Sequence, residues 1–205
     1  YGASVCLEVS ASNSIKGTMI SNYGIDEAGG VYLDTSTNNT CEVDFILNYG
    51  DEYAGAVTVS ASVQNLFTGL FISNQSWEGG ALSIDSSSDN RFEGDFIQNT
   101  TLGNGGAVSI SRGTNTVFTG DFISNAAVYN GGAVYLDRSE NTVFSGNFDY
   151  NIADISNTTT YHGGAIYEDT DSTGTDTNLA TFGSFNSPDD FYKEYGYFSA
   201  LSEGE

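Results

Sequence analysis

Apolar and polar residues alternate in short stretches along this chain, as in Ala133-Val134-Tyr135-Leu136-Asp137. A period of two puts Val134 and Leu136 on one face of a strand, with Tyr135 and Asp137 on the other. Clusters of Gly, Asn and Ser separate the stretches and supply turns. None of the repeated pattern has the period of a helix.

The alternation itself recurs. Met19, Phe45, Phe71, Phe96, Phe122 and Phe148 follow one another at intervals of 26, 26, 25, 26 and 26 residues. Three residues after each stands an asparagine: Asn22, Asn48, Asn74, Asn99, Asn125 or Asn151. Four residues before each stands Ile15, Cys41, Phe67, Phe92, Phe118 or Phe144. A third register holds Val5, Val31, Val57, Leu82, Val108, Val134 and Ile166, usually behind Gly-Gly-Ala or a close variant. Self-similarity at one fixed period is the signature of a solenoid. Three short strands and three turns make one coil, and coils stacked about 4.8 Å apart pair each strand with its copies above and below.

The expected fold is all-β: a right-handed parallel β-helix with about 26 residues per coil and roughly six to seven coils. Phe columns fill its core, and the Gly-Gly pairs allow a tight corner or a positive φ. The asparagine column has two readings. Its amides either bond to one another along the stack or, at Asn74 and Asn99, head Asn-x-Ser/Thr sequons that accept glycans. Coils without a sequon keep the asparagine, which favours the ladder. Glycans are then expected at Asn38 and Asn157, sequon asparagines outside the column.

Alternating Phe-x-x-Asn and Gly-Gly-Ala-(Val/Leu/Ile) motifs resemble the polymorphic outer membrane protein repeat of bacterial surface adhesins. They read Phe71-Ile-Ser-Asn74 with Gly79-Gly-Ala-Leu82, Phe96-Ile-Gln-Asn99 with Gly105-Gly-Ala-Val108, and Phe122-Ile-Ser-Asn125 with Gly131-Gly-Ala-Val134. The resemblance covers residues 15 to 167. It implies a β-helix at a cell surface with a role in adhesion or surface architecture. It carries no catalytic residues to transfer, and no membrane β-barrel follows in this sequence.

Departures from the repeat define the expected organisation. Residues 1–14 form a partial coil already in register, residues 15–151 the regular repeats, and the coil after them carries insertions at 152–162 and 168–178, closing the β-helix at 184. The second insertion, Asp169-Thr-Asp171-Ser-Thr173-Gly174-Thr-Asp176, resembles the start of a calcium-binding loop, with Asp169, Asp171, Thr173 and Asp176 as ligands. Ala180 stands where a bidentate glutamate is needed, and the alternative is a solvated acidic insertion. Residues 185–205 form an aromatic capping or interaction segment. Ser187 and Pro188 suit the start of a short helix, and Phe191, Tyr192, Tyr195, Tyr197 and Phe198 are candidate interface anchors. His162, beside Gly163-Gly164, reads as a loop residue. Cys41 takes an inward Phe position and Cys6 an outward one, so the two are not expected to pair.

Composition narrows the function classes. Over 205 residues, 27 acids face only 5 lysines and arginines, for a formal charge of −22. Such a surface repels phosphate backbones, which argues against a nucleic-acid partner. No apolar run approaches the roughly 20 residues of a membrane span. Tyr1 opens directly into patterned sequence, which reads as a mature secreted chain or a segment of one, extracellular or at a cell surface. Acids such as Asp44, Asp95 and Asp121 recur in register, and repetition serves structure where a catalytic site would break it. The reading is therefore a structural or adhesive protein that is not an enzyme, needs no cofactor beyond a calcium ion, and partners extracellular glycans, proteins or further copies of itself in a head-to-tail fibre. The alternative is a glycan-binding module using exposed Tyr32, Tyr135 and Tyr167, ahead of a polysaccharide lyase or hydrolase.

Overall fold

The computed structural model describes residues 3–155 and 161–194. These form a β-solenoid of about seven turns without a helix, its parallel strands stacked about 26 residues apart. No helix of the described residues is therefore long and apolar enough to cross a membrane.

Each coil contributes to three sheets. Sheet A takes Val5–Glu8, Val31–Asp34, Val57–Ser60, Leu82–Asp85, Val108–Ser111, Val134–Asp137, Ile166–Glu168 and Phe191–Lys193, stacked in chain order. Sheet B holds the Phe positions, as one strand in Thr40–Ile46 and as two in the coil of Leu66–Thr68 and Phe71–Ile72. Sheet C consists of two-residue strands from Tyr23–Gly24 to Ala126–Ala127. Every pairing advances by one repeat: Val31 lies beside Val57, Val57 beside Leu82 and Leu82 beside Val108.

Corners join the sheets, and those on either side of sheet B set a residue in the left-handed region before a buried polar group. Thr35 (φ 50°) precedes Ser36, Asn38 (φ 54°) precedes Asn39, and Leu47 (φ 56°) precedes Asn48. The buried group is satisfied along the stack. Asn48 Nδ2 donates to Asn74 Oδ1 at 3.0 Å and to the Met19 carbonyl at 2.9 Å. Its own Oδ1 accepts the backbone N–H and side-chain Nδ2 of Asn22. The same chain of amides continues through Asn74, Asn99, Asn125 and Asn151 to Asn186. A buried amide costs free energy unless its donors and acceptor are paired, and this geometry pairs them. Asn74 and Asn99 are 0% exposed; the ladder reading holds at both sequons.

A second ladder was not expected from the pattern. Asn13, Asn39, Asn65 and Asn90 bond in the same way, beside a serine column in which Ser10, Ser36 and Ser62 each donate N–H to the next hydroxyl. Thr116 and Thr142 occupy the following rungs, where their buried Oγ1 atoms have no partner.

The core is two columns of stacked rings. Phe71, Phe96 and Phe122 lie 4.5 and 4.8 Å apart with planes within 8°. Phe92, Phe118 and Phe144 stack at 5.1 and 5.2 Å, and the columns meet edge to face, as in Phe96 against Phe118 at 6.1 Å. Such offset and T-shaped pairs add to the burial of the rings. Cys41 lies inside this column, and burial pushes its thiol up to about 12. Sheet A closes the core from the other side with Leu33, Val59, Ile84, Ile110 and Leu136. The second glycine of each Gly-Gly pair is a packing requirement, because a Cβ on Gly106 would collide with the Gly132 carbonyl in the next coil.

The C-terminal region differs from expectation in three ways. No helix starts at Ser187. Its N–H bonds to the Asn151 carbonyl, its neighbour in the ladder is Ile152, and Phe191–Lys193 adds a further strand to sheet A. Ladder bonds to the preceding coil outweigh the local capping signal, so residues up to Lys193 extend the solenoid beyond the expected boundary at 184. Second, the segment 168–178 is barely an insertion: Leu136 to Phe148 and Glu168 to Phe182 are matching spans of the ladder, and the later one is longer by only two residues. The matching stretches Ala126 to Gly132 and Ile152 to Gly164 differ in length by six residues, and part of the later one lies outside the described residues.

Third, the inward column changes character. Glu168 occupies the position of Leu136, is 2% exposed, and meets Lys193 Nζ at 2.6 Å from the next rung. Breaking a buried ion pair strands a charge, whereas replacing both members by apolar groups is often neutral. Lys193→Met should thus lower the melting temperature, and adding Glu168→Leu should restore most of the loss; a double variant less stable than the single would contradict the pairing. In the ring column, Phe122→Ala should cost about 3 to 5 kcal/mol in chemical denaturation, against well under half of that for Ile123→Ala on the half-exposed face.

Candidate functional site

The outer face of sheet A carries a row that breaks the repetition over a concave surface. Its residues, in ladder order, are Cys6, Tyr32, Thr58, Ser83, Ser109, Tyr135 and Tyr167. Three small hydroxyl residues thus lie between tyrosines. They floor a trough of about 400 Å³. Spread over the spacings from Tyr32 to Ser109, it is about 14 Å long.

One wall comes from the loops that join sheet C to sheet A. Each loop places the residue before its Gly-Gly or Ala-Gly corner above the floor, and backbone bonds align these residues from coil to coil: Glu27, Tyr53, Glu78, Asn104, Asn130 and His162. The last three have a structural use. Asn104 Oδ1 accepts the Asn130 N–H at 3.0 Å, and Asn130 Oδ1 accepts that of His162 at 2.9 Å. The first three depart from it and line the trough. Opposite, Asp85 pairs with Arg112, whose Nε also donates to Ser86 Oγ at 3.0 Å.

The floor is mostly engaged, with one gap. Thr58 Oγ1 donates to the Glu27 carbonyl at 3.0 Å, and Ser109 Oγ to Glu78 Oε1 at 3.1 Å. Ser83, between them, is only 8% exposed and lines the trough, and its hydroxyl has no hydrogen-bond partner among the described residues. Burial raises the Glu27 carboxyl above its ordinary range, and the charges of Asp26, Glu52 and Asp34 add to this. The Tyr53 phenol is raised by burial and then by Glu52, Glu27, Glu78 and Asp85. Tyr135 is pushed up to about 12 by burial and the Asp137 and Asp169 charges. In all three the negative form is disfavoured, first by burial and then by the neighbouring acids.

The expected site residues fall elsewhere. Tyr32 and Tyr167 are 6% and 7% exposed rather than open, and Tyr167 stacks between Tyr135 and Tyr192. Asp169, Asp171, Thr173 and Asp176 are not gathered into a calcium loop. Asp169 accepts from Ser172 Oγ and the Arg138 N–H, Thr173 continues a bridge to Glu140, and Asp176 starts a strand. No group of three or more His, Cys, Asp or Glu side chains that could hold a metal ion occurs among the described residues. The recurring outward acids act as backbone acceptors at the coil boundary: Asp44 Oδ1 takes the Leu70 N–H, Asp95 that of Asp121 and Asp121 that of Asn147.

Asn38 is exposed at its corner, whereas Asn157 lies outside the described residues. Of the interface anchors, Tyr192 is used within the chain, stacked on His162 at 4.3 Å. Phe191 is partly exposed, and Tyr195, Tyr197 and Phe198 lie outside the described residues. Both cysteines are free, Cys6 exposed and Cys41 buried.

The trough was legible only in part. Its floor is the outward register of sheet A, and the change from Tyr to Thr and Ser can be read off the chain. Its wall depends on how the joining loops fold over the sheet, which no period encodes. Comparison with family models, with curated proteins and with solved structures finds no match for this chain.

Glu27 gives the trough a pH signature. A carboxyl whose folded pKa is raised is destabilising when ionised, so its unfavourable contribution grows as pH rises through the raised value and vanishes in acid. Glu27→Gln should therefore raise the melting temperature at neutral pH and leave it unchanged below the ordinary carboxylate range; equal gains at both pH values would show that charge is not the cause.

Proposed function

We propose that this chain is a structural or adhesive surface protein that acts by binding rather than catalysis, and that the trough on sheet A holds an extended saccharide chain. The observation that supports this most directly is the row Thr58-Ser83-Ser109, a hydroxyl floor beside a wall of Glu27, Tyr53 and Glu78. Saccharides are read by hydroxyl and carboxylate hydrogen bonds and by the faces of aromatic rings, and all three are present. A protein segment would more readily add a strand to a free edge. Backbone groups of the floor strands are already bonded to the coils on either side, so the trough offers no edge.

An adhesive role accords with the resemblance of the Phe-x-x-Asn and Gly-Gly-Ala motifs to surface-adhesin repeats. It also accords with a scaffold whose recurring acids have backbone duties. A head-to-tail fibre draws less support, because the inward column turns ionic at Glu168 and Lys193, and charge in a core position discourages further stacking.

Filling the trough tests the proposal. Ser83→Phe points a ring into open space from a strand whose backbone is unchanged, so the melting temperature should hold. Binding on a glycan array should be lost. Retained binding by a folded variant would place the recognition surface elsewhere, and an array with no binder for the intact chain would remove the saccharide reading.

A further inference from the structure

We propose that the saccharide held in the trough is cationic, a chain carrying free amino groups; this rests on the saccharide reading above. The charges of the trough lead to it. Asp85 is neutralised by Arg112, and Asp137 by Arg138, with Ser111 Oγ donating to it at 3.0 Å. Glu27 and Glu78 have no basic partner among the described residues. Glu78 receives only the Ser109 hydroxyl. They stand one coil either side of Tyr53 in the wall column, so two acids without a basic partner among the described residues are set two rungs, about 10 Å, apart along the backbone with Tyr53 between them.

That arrangement fits cations spaced along a chain better than a single ion. Two carboxylates at this separation cannot close around one metal, and no third acid joins them among the described residues. A repeating amine can place one ammonium at each carboxylate, and Tyr53 between them offers its face to the positive charge. Trp77, exposed beside Glu78, extends the same aromatic and acidic character at the mouth. Ser83 is the second, independent pointer. The residue is nine-tenths buried, and its hydroxyl, without a partner among the described residues, opens into the trough between the two carboxylates, which leaves a hydrogen bond to be made by a polar, hydroxyl-bearing ligand. The formal charge of −22 adds a long-range field that draws such a chain in and holds anionic polymers off.

The decisive comparison uses the intact protein and two ligands on the same backbone: a short β-linked glucosamine oligomer, with free amines, and its fully N-acetylated, uncharged counterpart. Calorimetry should show the amine form binding at least about tenfold more tightly, the scale of one charge-assisted hydrogen bond. Added salt should narrow the gap, and Glu78→Gln or Glu27→Gln should each narrow it too, weakening the amine form more than the acetylated one. Equal or tighter binding of the acetylated oligomer would overturn the cationic assignment and leave the saccharide reading standing. Binding of oligolysine with neither oligomer would overturn both in favour of a basic peptide, and no binding of any of the three would overturn both outright.

Discussion

The structure depends on the axial hydrogen bonds between coils. Each backbone N–H and C=O in a strand is bonded to the strand one repeat away, so every coil must reproduce the path of its neighbour at a rise of about 4.8 Å. Equivalent residues then lie directly above one another. An inward Phe meets a Phe, as at Phe96 and Phe122. A corner asparagine meets an asparagine at a distance that suits Nδ2 of one and Oδ1 of the next. A corner glycine is kept where the backbones come too close for a Cβ, as at Gly106 and Gly132. The amide ladders solve a specific problem. Tight corners bury polar groups that would otherwise be unpaired, and a column of identical amides pairs them without any contribution from outside the stack.

The same constraint explains what the sequence made legible. Columns carried by at least six coils, such as the Phe and Asn registers, are visible as intervals of 25 or 26 residues. Columns that change partway are not. The second asparagine ladder runs Asn13, Asn39, Asn65, Asn90 and then becomes Thr116 and Thr142, so its spacing dissolves before it becomes conspicuous. The true register after Ile166 was hidden by Glu168, a charge in a core position, which made the following segment look like a long acidic insertion. The helix expected at Ser187-Pro188-Asp189-Asp190 failed for a related reason. Its local capping residues are genuine, but the Asn186 amide continues the ladder by bonding to Asn151 and to the Phe148 carbonyl. Tertiary pairing overrides weak local propensity where the two conflict.

Recognition surfaces on such a scaffold are found where a column stops repeating without being forced to by the coil path. The wall column is the clearest case. In three coils it supplies Asn104, Asn130 and His162, bonded along the stack, and in the other three Glu27, Tyr53 and Glu78 give up that duty. Directly beneath them the floor narrows from Tyr to Thr and Ser, leaving room that a continued tyrosine stack would have filled. Two neighbouring columns depart from their pattern over overlapping coils, and the overlap of the departures makes a concave site on the sheet.

Rigidity is what this site gains from its position. Thr58, Ser83 and Ser109 project from strands paired on both sides, and the alternate residues Leu82, Ile84, Val108 and Ile110 of the same strands are locked in the core. The floor therefore has little backbone freedom to lose when a ligand arrives, and its hydroxyls are short side chains with few rotamers to fix. Binding surfaces that are already in place lose less of their contact energy to ordering. The Glu168–Lys193 pair lies well to the C-terminal side of the trough, where the core gives way to an ion pair. Any fraying at that end has to pass through two rungs of stacked Phe rings before reaching Ser109. A solenoid can thus tolerate a polar, less tightly packed end and still hold a preorganised row of hydroxyls three coils away, because each coil contacts only its neighbours.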